Sequence, residues 1–225
     1  MAASATVEQT DLTLADLLER FGPMPYYRIR HEPPPGTATE QDVIDIHDRE
    51  DRLCELVDGV LVEKTMGAFE SYLAVRVIIV LGSFVDVRKL GIVLGADGTI
   101  RLAPGLVRIP DVAFFSWNRL PGRKIPREPI PDLVPDLAVE VLSKSNTKQE
   151  MDRKLADYFT AGVRVVWYID PEKRTAEVFS APDRSVILQE KDSLEGGDVL
   201  PGFSLPLADL FREIEPPSTK STRRK

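Results

Sequence analysis

The stretch that decides the fold reads P-D-L-A-V-E-V-L-S-K-S-N-T-K-Q-E-M-D-R-K-L-A-D-Y and runs from Pro135 to Tyr158. Its first half is apolar from Leu137 to Leu142, apart from Glu140, and this pattern predicts a buried strand. A carboxylate in such a strand costs roughly several kcal/mol unless it is paired, hydrogen-bonded or bound to a metal. Glu140 is therefore a candidate functional residue.

A helix is predicted to follow this strand. The polar segment Ser143–Thr147 can cap its first turn, and Gly162 can end it. At about 100° per residue, Lys154 lies at the flank of the apolar side, from which its amine can reach a site at the sheet edge. Lys148, in the first turn, is the alternative. The apolar side itself consists of Met151, Leu155, Tyr158 and Phe159.

Length and composition indicate one large α/β domain, or one domain with extensions, because the chain has 225 residues, 43% of them hydrophobic and 29% charged. The net charge of -7 argues against nucleic-acid binding through a globally basic surface, but it leaves room for a local basic cleft.

Cysteine usage and apolar segments indicate the compartment. The single cysteine, Cys54, excludes an internal disulfide and fits a reducing environment. A buried strand cysteine is favoured over a nucleophile at this position. The N-terminus shows no signal-peptide pattern, and the most apolar window, Val77–Val85, is shorter than the roughly 20 residues that span a bilayer. We therefore expect a cytoplasmic protein with no membrane partner.

Several elements are predicted before the central strand. Apolar residues at helical spacing predict a helix over Leu14–Phe21, which Gly22 would end, followed by a proline-rich connector. A capping-box-like start predicts a short acidic helix from Thr39 to about Arg49. Two β-rich runs around Asp58-Gly59 predict a hairpin.

A long amphipathic helix is then predicted from about Ala68 to Leu90, with Gly91 as its stop. The run Arg108–Phe115 is interpreted as one strand, in which Pro110 marks an edge or a start. A polar, basic loop spans Asn118–Glu128. Other β-like runs predict short strands at Ile92–Leu94, Thr99–Leu102, Val163–Ile169, Thr175–Phe179, Val186–Leu188 and near Phe203.

The expected domain organisation has three parts. Residues 1–38 form an N-terminal helix and connector, residues 39–215 form the main domain, and residues 216–225 form a basic tail that is expected to be disordered.

Two apolar runs each carry one acid, Asp111 and Glu140. If neighbouring strands bring these acids together, their oxygens can hold a hard cation such as Mg²⁺, with water in the remaining positions. A lysine beside that ion can stabilise charge on a phosphate or orient the attacking water. The alternative is structural: Asp111 after a proline is a common strand-end residue, and Lys154 can be a solvated helix residue.

The chain resembles a known family in an ordered set of fragments from about Thr39 to Phe203. It is similar to the Uma-two family of restriction-endonuclease-like proteins, within the PD-(D/E)XK nuclease superfamily. The resemblance implies an α/β (α+β) fold with a restriction-endonuclease-like core: a mixed β-sheet flanked by helices, extended by the N-terminal helix and the hairpin. The fragments are E-L-V-D-G (55–59), V-E-K-x-M-G (62–67), P-D-V (110–112), P-D-L-A-V-E-V-L-S (135–143), R-K-L-x-x-Y (153–158) and G-V-x-x-V-W-Y-I-D-P (162–171).

The resemblance also implies roles for particular residues. Asp111 and Glu140 match the two metal-binding acids, and the carbonyl of Val141 is an expected third ligand. The superfamily lysine two residues after the glutamate is replaced here by Leu142, and Lys154 on the following helix matches the position to which this family moves it.

Two further acids match family positions. Glu70 resembles the accessory acid at the start of the long helix, and its alternative is a first-turn glutamate favoured by the helix dipole. Glu55 matches a position of uncertain role, and its alternative is an exposed hairpin residue.

These residues together predict a Mg²⁺- or Mn²⁺-dependent endonuclease that hydrolyses DNA phosphodiester bonds, with a homodimer as an expected assembly. The basic loop Arg119–Arg127 and the tail are expected to contact the DNA backbone, or else are solvated. Two rival hypotheses are a non-catalytic DNA-binding or assembly module, favoured by Leu142 and the acidic composition, and a structural oligomerisation protein in which Glu140 is paired with a basic side chain away from Asp111.

Overall fold

A computed structural model describes residues 12–212 of the protein. In chain order its helices and strands are α1 (Leu14–Phe21), α2 (Glu40–Glu50), β1 (Cys54–Val57), β2 (Val60–Glu63), α3 (Ala68–Arg88), β3 (Gly91–Leu94), β4 (Ile100–Ala103), β5 (Leu106–Arg108), β6 (Val112–Ser116), β7 (Leu137–Val141), α4 (Lys148–Ala161), β8 (Val165–Asp170), β9 (Thr175–Ala181), β10 (Arg184–Leu188), β11 (Ser193–Glu195), β12 (Ser204–Pro206) and α5 (Leu207–Leu210).

The core is a mixed six-stranded sheet with a helix on each face. Its strand order is β10-β9-β8-β7-β6-β3, and β7 and β8 run parallel because α4 makes the crossover between them. Alternate residues of β6 and β7 face opposite sides of the sheet. Val112 and Val139 pack with α3, whereas Ala113 and Ala138 pack with α4. Glu140 therefore points towards α4.

A second, four-stranded sheet has the order β2-β1-β5-β4 and lies next to the first. The β1–β2 hairpin turns at Asp58 and Gly59, which both have positive φ (50° and 72°), as a two-residue hairpin turn requires. Residues of α2 pack on β1 and β5, and residues of α1 pack on the hairpin. The mixed α+β fold and the hairpin extension are confirmed.

The run Arg108–Phe115 was predicted as one strand, and that prediction is wrong. β5 ends at Arg108 in the small sheet, and β6 begins at Val112 in the large one. Pro110, which has no N–H to donate to a ladder, lies between the two strands. The chain therefore crosses between the sheets at this point, directly before Asp111.

The end of α3 also differs from the prediction. The helix stops at Arg88, with Lys89 in the left-handed region, and Gly91 is the first residue of β3. A Cβ atom on Gly91 would overlap the carbonyl oxygen of Phe115 on the neighbouring strand. This glycine therefore serves the strand pairing and not the helix end.

By length and composition alone, the 21-residue helix α3 could cross a membrane. The shorter apolar window Val77–Val85 of the sequence did not indicate this. Helices at the core of a globular fold meet the same criterion, and this helix packs one side on the large sheet. That side consists of Leu73, Ala74, Val77, Leu81 and Val85.

Hydrogen bonds of Arg28 connect the described part of the N-terminal segment to the main domain. Buried Arg28 donates two hydrogen bonds to the Glu150 carboxylate at the start of α4, at 2.7 and 2.9 Å. It also donates to the carbonyls of Glu63 and Ser145, both at 3.2 Å. One guanidinium thus joins the hairpin, the β7–α4 loop and α4. The basic tail lies outside the described residues.

Removing this guanidinium is expected to be costly, because Glu150 would stay buried without its counter-charge. Arg28→Ala should lower the free energy of unfolding by about 3–5 kcal/mol. The matched control is Lys148→Ala, which removes an exposed ion pair with Asp152 on the same helix and should cost less than about 1 kcal/mol. Urea unfolding followed by circular dichroism measures both, and equal small losses would contradict a structural role for Arg28.

Candidate active site

Asp111 and Glu140 lie on neighbouring strands of the large sheet. In the antiparallel β6–β7 pair, Val112 is opposite Val139, so the same register continued by one residue places Asp111 opposite Glu140. Residues directly opposite each other point to the same face of a sheet. Both carboxylates therefore lie on the α4 side, and each residue is only 4% exposed.

Glu140 is neutralised by two residues of α4. The Lys154 amine lies 3.3 Å from its carboxylate oxygens, and the Tyr158 hydroxyl donates a short hydrogen bond to Oε1. Burial raises the pKa of the Glu140 carboxyl. The positive charge of the Lys154 amine lowers this pKa, and the negative charge of Asp111 raises it. The pKa of the Tyr158 hydroxyl is also raised, by burial and by Glu140, so it remains a hydrogen-bond donor.

Glu55 reaches the same lysine from the small sheet. Its Oε1 lies 3.0 Å from the Lys154 amine and accepts the Ile109 N–H at 3.0 Å. Its Oε2 accepts a hydrogen bond from Arg108 at 2.7 Å. Burial alone would raise the pKa of the Glu55 carboxyl, but the positive charges of Lys154 and Arg108 lower it below the usual value. Glu55 is 3% exposed, so it is not the exposed hairpin residue of the alternative reading.

Lys154 is therefore a buried ammonium between two carboxylates. Burial opposes its charge, but Glu140 and Glu55 together raise the pKa of the amine above its ordinary value. The Lys154 amine is therefore positively charged at neutral pH. The residue is 5% exposed, and acids from two different sheets contact its amine.

Asp111 is held by a second lysine. Lys64, which follows β2, donates to Oδ1 of Asp111 at 2.7 Å and also to the carbonyl of Ile109. The Val141 N–H donates to Oδ2 at 2.7 Å. Because the N–H and C=O of an extended residue point to the same side, the Val141 carbonyl also faces the edge on which Asp111 lies.

This donor set fits a hard divalent cation in chemistry and in number. Mg²⁺ is commonly held by one or two carboxylates and keeps several waters, and Asp111, Glu140 and the Val141 carbonyl offer that set. Across residues 12–212 there is no group of three or more His, Cys, Asp or Glu side chains placed to hold a metal. An ion at this site would thus depend on two carboxylates, one carbonyl and water.

Arg108 links Glu55 to the helix that carries Lys154. Its guanidinium contacts Glu55 and also makes a short hydrogen bond to Asp157, whose other oxygen accepts from Arg153 at 2.9 Å. Arg108 is 2% exposed. It therefore fixes the small sheet and α4 relative to each other, with Lys154 between them.

The remaining candidate residues lie elsewhere. Lys148 is exposed and paired with Asp152, so of the two lysines considered it is Lys154 that contacts the acids. Glu70 bends back towards Gly67 at the start of α3 and lines an open cleft, and it makes no described contact with either Asp111 or Glu140. Burial raises the pKa of the Cys54 thiol to about 12, which leaves it a neutral core side chain.

That cleft, of about 1090 Å³, lies beside the charged cluster. Its wall includes the residues that follow Lys64, Val141 and Lys154 in the chain, which are Thr65, Leu142 and Leu155. The Thr65 and Ser145 hydroxyls are 3.3 Å apart and join its two sides. Asp111, Glu140 and Lys154 are buried and do not line the cleft themselves.

Sequence reasoning missed four residues of the cluster. Arg108 had the same signal as Glu140, a charge within an apolar run, and Lys64 directly follows a buried strand. Tyr158 was assigned to the apolar side of α4 only, although its hydroxyl contacts Glu140. Asp157 is a charge one position before that tyrosine, and no local pattern in the sequence indicates its contact with Arg108.

The fold is that of a restriction-endonuclease-like protein. The sequence profile described as "Uma2: Putative restriction endonuclease" matches residues 40–208. The chain belongs to this family. It is also similar to a crystal structure from Anabaena variabilis, described as "a putative nuclease belonging to DUF820", with a TM-score of 0.64 and 19% identity over 72% of this chain and 90% of that one. At this identity the likeness shows the fold. Among curated proteins no match is found.

The lowered pKa of Glu55 predicts a defined dependence of stability on pH. A carboxyl whose folded pKa lies below its ordinary value of 4.5 stabilises the fold above that pH, and this contribution is lost as the pH falls. Between pH 4.5 and pH 3 the wild type should therefore lose more unfolding free energy than Glu55→Gln, with an upper limit of about 1.4 kcal/mol per pH unit. Urea unfolding at a series of pH values tests this, and parallel curves for the two proteins would show that Glu55 titrates normally.

Proposed function

We propose that the protein is a divalent-metal-dependent endonuclease that hydrolyses DNA phosphodiester bonds. The observation that carries this proposal is the placement of Asp111 and Glu140 on one face of adjacent strands, with the Lys154 amine 3.3 Å from Glu140. Membership of a restriction-endonuclease family supports the reaction class. The proposed metal, Mg²⁺ or Mn²⁺, follows from the oxygen ligands.

Each residue of the cluster has a proposed role. Asp111, Glu140 and the Val141 carbonyl would hold the ion, which supplies Lewis-acid stabilisation of the phosphate and lowers the pKa of bound water. Lys154 stabilises the negative charge that develops on the phosphate or orients the attacking water. Glu55 keeps that amine charged and in place, because it is ionised and lies 3.0 Å away.

Lys64 adds a second positive charge on the other side of the acid pair. Its amine contacts Asp111, and the next residue, Thr65, lies on the cleft wall. It therefore places a buried cation beside the acids, whereas Lys144, Lys148 and Lys173 line the cleft itself. Glu70, on the same wall, is proposed as an accessory acid that acts on water or on a second ion at the cleft and not on the buried pair.

DNA contacts are proposed for part of the basic loop. Arg119 hydrogen-bonds to Asp136 at 3.1 Å and to the Gly162 carbonyl at 2.8 Å, so it holds the loop on the domain. Arg123, Lys124 and Arg127 are exposed and remain the candidates for phosphate contacts. A local basic segment on an acidic protein fits the net charge of -7. The segment does not line the cleft, so its contacts would be additional to those of a phosphate in the cleft.

A second candidate function is a non-catalytic DNA-binding or assembly module. The observation that favours it is the closed state of the cluster, in which Asp111 and Glu140 are each 4% exposed and already contact a lysine. The structural hypothesis required a basic partner for Glu140 away from Asp111. Glu140 has its basic partner in Lys154, and Asp111, which faces Glu140 by the β6–β7 register, has a separate one in Lys64.

Catalysis is tested with purified protein, supercoiled DNA and Mg²⁺ or Mn²⁺. Asp111→Ala and Glu140→Ala should abolish nicking, and Lys154→Met should lower its rate at least about 100-fold, the scale for one group that stabilises transition-state charge. The control is Lys89→Met, an exposed lysine after α3 that does not line the cleft, which should keep full activity. Equal cleavage by the wild type and the acid variants would identify a contaminant. Calorimetry of Mn²⁺ binding distinguishes the endonuclease from the non-catalytic module, because the module should show no ion binding that depends on Asp111.

The loop contacts predict a salt dependence of DNA affinity. The double variant Arg123→Ala/Lys124→Ala should bind duplex DNA more weakly, and the slope of log K against log salt should fall by about 1 per lost phosphate contact. The control is Arg49→Ala, an exposed arginine on α2. Fluorescence anisotropy at several salt concentrations measures both slopes, and an unchanged slope in the double variant would remove the loop from the DNA surface.

A further inference from the structure

The amine of Lys64 is bonded to one of the carboxylates on which the proposed metal site depends. It lies 2.7 Å from Oδ1 of Asp111 and also donates to the Ile109 carbonyl. The other oxygen, Oδ2, accepts the Val141 N–H at 2.7 Å. The Lys64 side chain is 9% exposed and that of Asp111 is 6% exposed, so the ion pair is shielded from water. Both oxygens of Asp111 are therefore engaged by donors of the chain itself.

The side chains of the charged cluster nearly balance one another. Four carboxylates face three cationic groups, so the ionised cluster has a net charge of -1. A divalent cation would change this charge to +1 where little water screens it, and Arg153, which contacts Asp157 from the surface, would enlarge the excess. Release of one ammonium to solvent leaves -2, which a divalent cation neutralises. The carboxylates are those of Glu55, Asp111, Glu140 and Asp157, and the cations are Lys64, Lys154 and Arg108.

Of the two lysines in the cluster, Lys64 is the one that can leave. Lys154 is carried by α4 and contacts carboxylates of two different sheets, at 3.0 and 3.3 Å. Within residues 12–212, Lys64 forms a salt bridge with Asp111 alone. Its backbone lies just past the end of β2, and the next residue, Thr65, is exposed and lines the cleft. Because a lysine side chain has a flexible four-carbon stem, the Lys64 amine can turn towards solvent while its backbone stays in place.

We infer that Lys64 is a displaceable counter-ion, whose ammonium competes with a divalent cation for Asp111 and leaves this carboxylate when the cation binds. The inference rests on the proposed metal site and gives Lys64 a role in setting the affinity of that site. Lys64 stabilises the fold because it neutralises a buried acid, and it weakens ion binding because the ion has to displace it. A lysine with a purely structural role would support both properties. The two roles therefore predict opposite changes in ion affinity when the amine is removed.

The first test compares Mn²⁺ binding by the full-length wild type and by Lys64→Met, measured by calorimetry. Methionine keeps an apolar stem and removes the competing charge. If Lys64 holds Asp111 in about nine of ten molecules, the variant should bind the ion about 10-fold more tightly, because the apparent dissociation constant is inversely proportional to the fraction of open sites. The control is Lys89→Met, an exposed lysine after α3, which should keep the wild-type constant. Equal or weaker binding by Lys64→Met would overturn the inference.

The second test uses the wild type, so it stands even if Lys64→Met is too unstable to purify. Acetic anhydride acetylates exposed lysine amines of the native protein, and mass spectrometry measures the extent at each one. The Lys64 amine should be acetylated slowly, and saturating Mn²⁺ should raise its acetylation several-fold. Lys154 should stay protected between its two acids, and Lys89 should react equally with and without the ion. Unchanged protection of Lys64 in protein that binds Mn²⁺ through Asp111 would contradict displacement.

The same measurements separate this inference from the proposed function. Mn²⁺ binding that depends on Asp111 but is equal in the wild type and Lys64→Met would leave the metal site in place and remove the competing role of Lys64. Binding by Lys64→Met alone would support the inference and contradict a metal-dependent reaction in the natural protein. Absence of Mn²⁺ binding in both proteins would overturn the inference and the proposed function together.

Discussion

The structure depends on the neutralisation of one buried charge. Glu140 lies in the middle of the large sheet among apolar residues, and an isolated carboxylate there would be strongly destabilising. Lys154 and Tyr158 supply its partners from α4, so the helix is held on the sheet by polar contacts as well as by packing. Lys154 in turn needs Glu55, which brings the small sheet against the same helix.

The elements that sequence reasoning found are those with local signals. α1, α2 and α4 each begin with a capping box, and α1 and α4 end at a glycine, and these features are visible in the sequence. The left-handed Asp51 that ends α2 has no such signal. The split at Pro110 was not visible, because a proline between two apolar runs fits an edge strand as well as a crossing between sheets. The pairing of β11 with β12 joins segments too short to show any periodicity.

The residues of the charged cluster also divide into those with a local sequence signal and those without one. Glu140 could be found because a lone acid in an apolar strand is costly wherever that strand lies. Lys64 and Arg108 became interpretable only when the small sheet was seen to lie against the large one, which is a matter of tertiary arrangement and not of local pattern. Glu55 was placed by its family position, and its depth in the structure comes from contacts made about 50 to 100 residues away.

The composition of the cluster argues for a role beyond stability. A buried ion pair can often be replaced by apolar residues of similar volume with no loss of stability, so a fold gains little by keeping one. This protein keeps four acids, Glu55, Asp111, Glu140 and Asp157, together with Lys64, Lys154 and Arg108, at the junction of two sheets and a helix. Two of these residues, Lys64 and Lys154, directly precede residues of the cleft wall. Such an arrangement is costly as a scaffold, but it is what a reaction that develops negative charge on a phosphate requires, because fixed positive groups in a water-poor site act more strongly there than at a solvated surface.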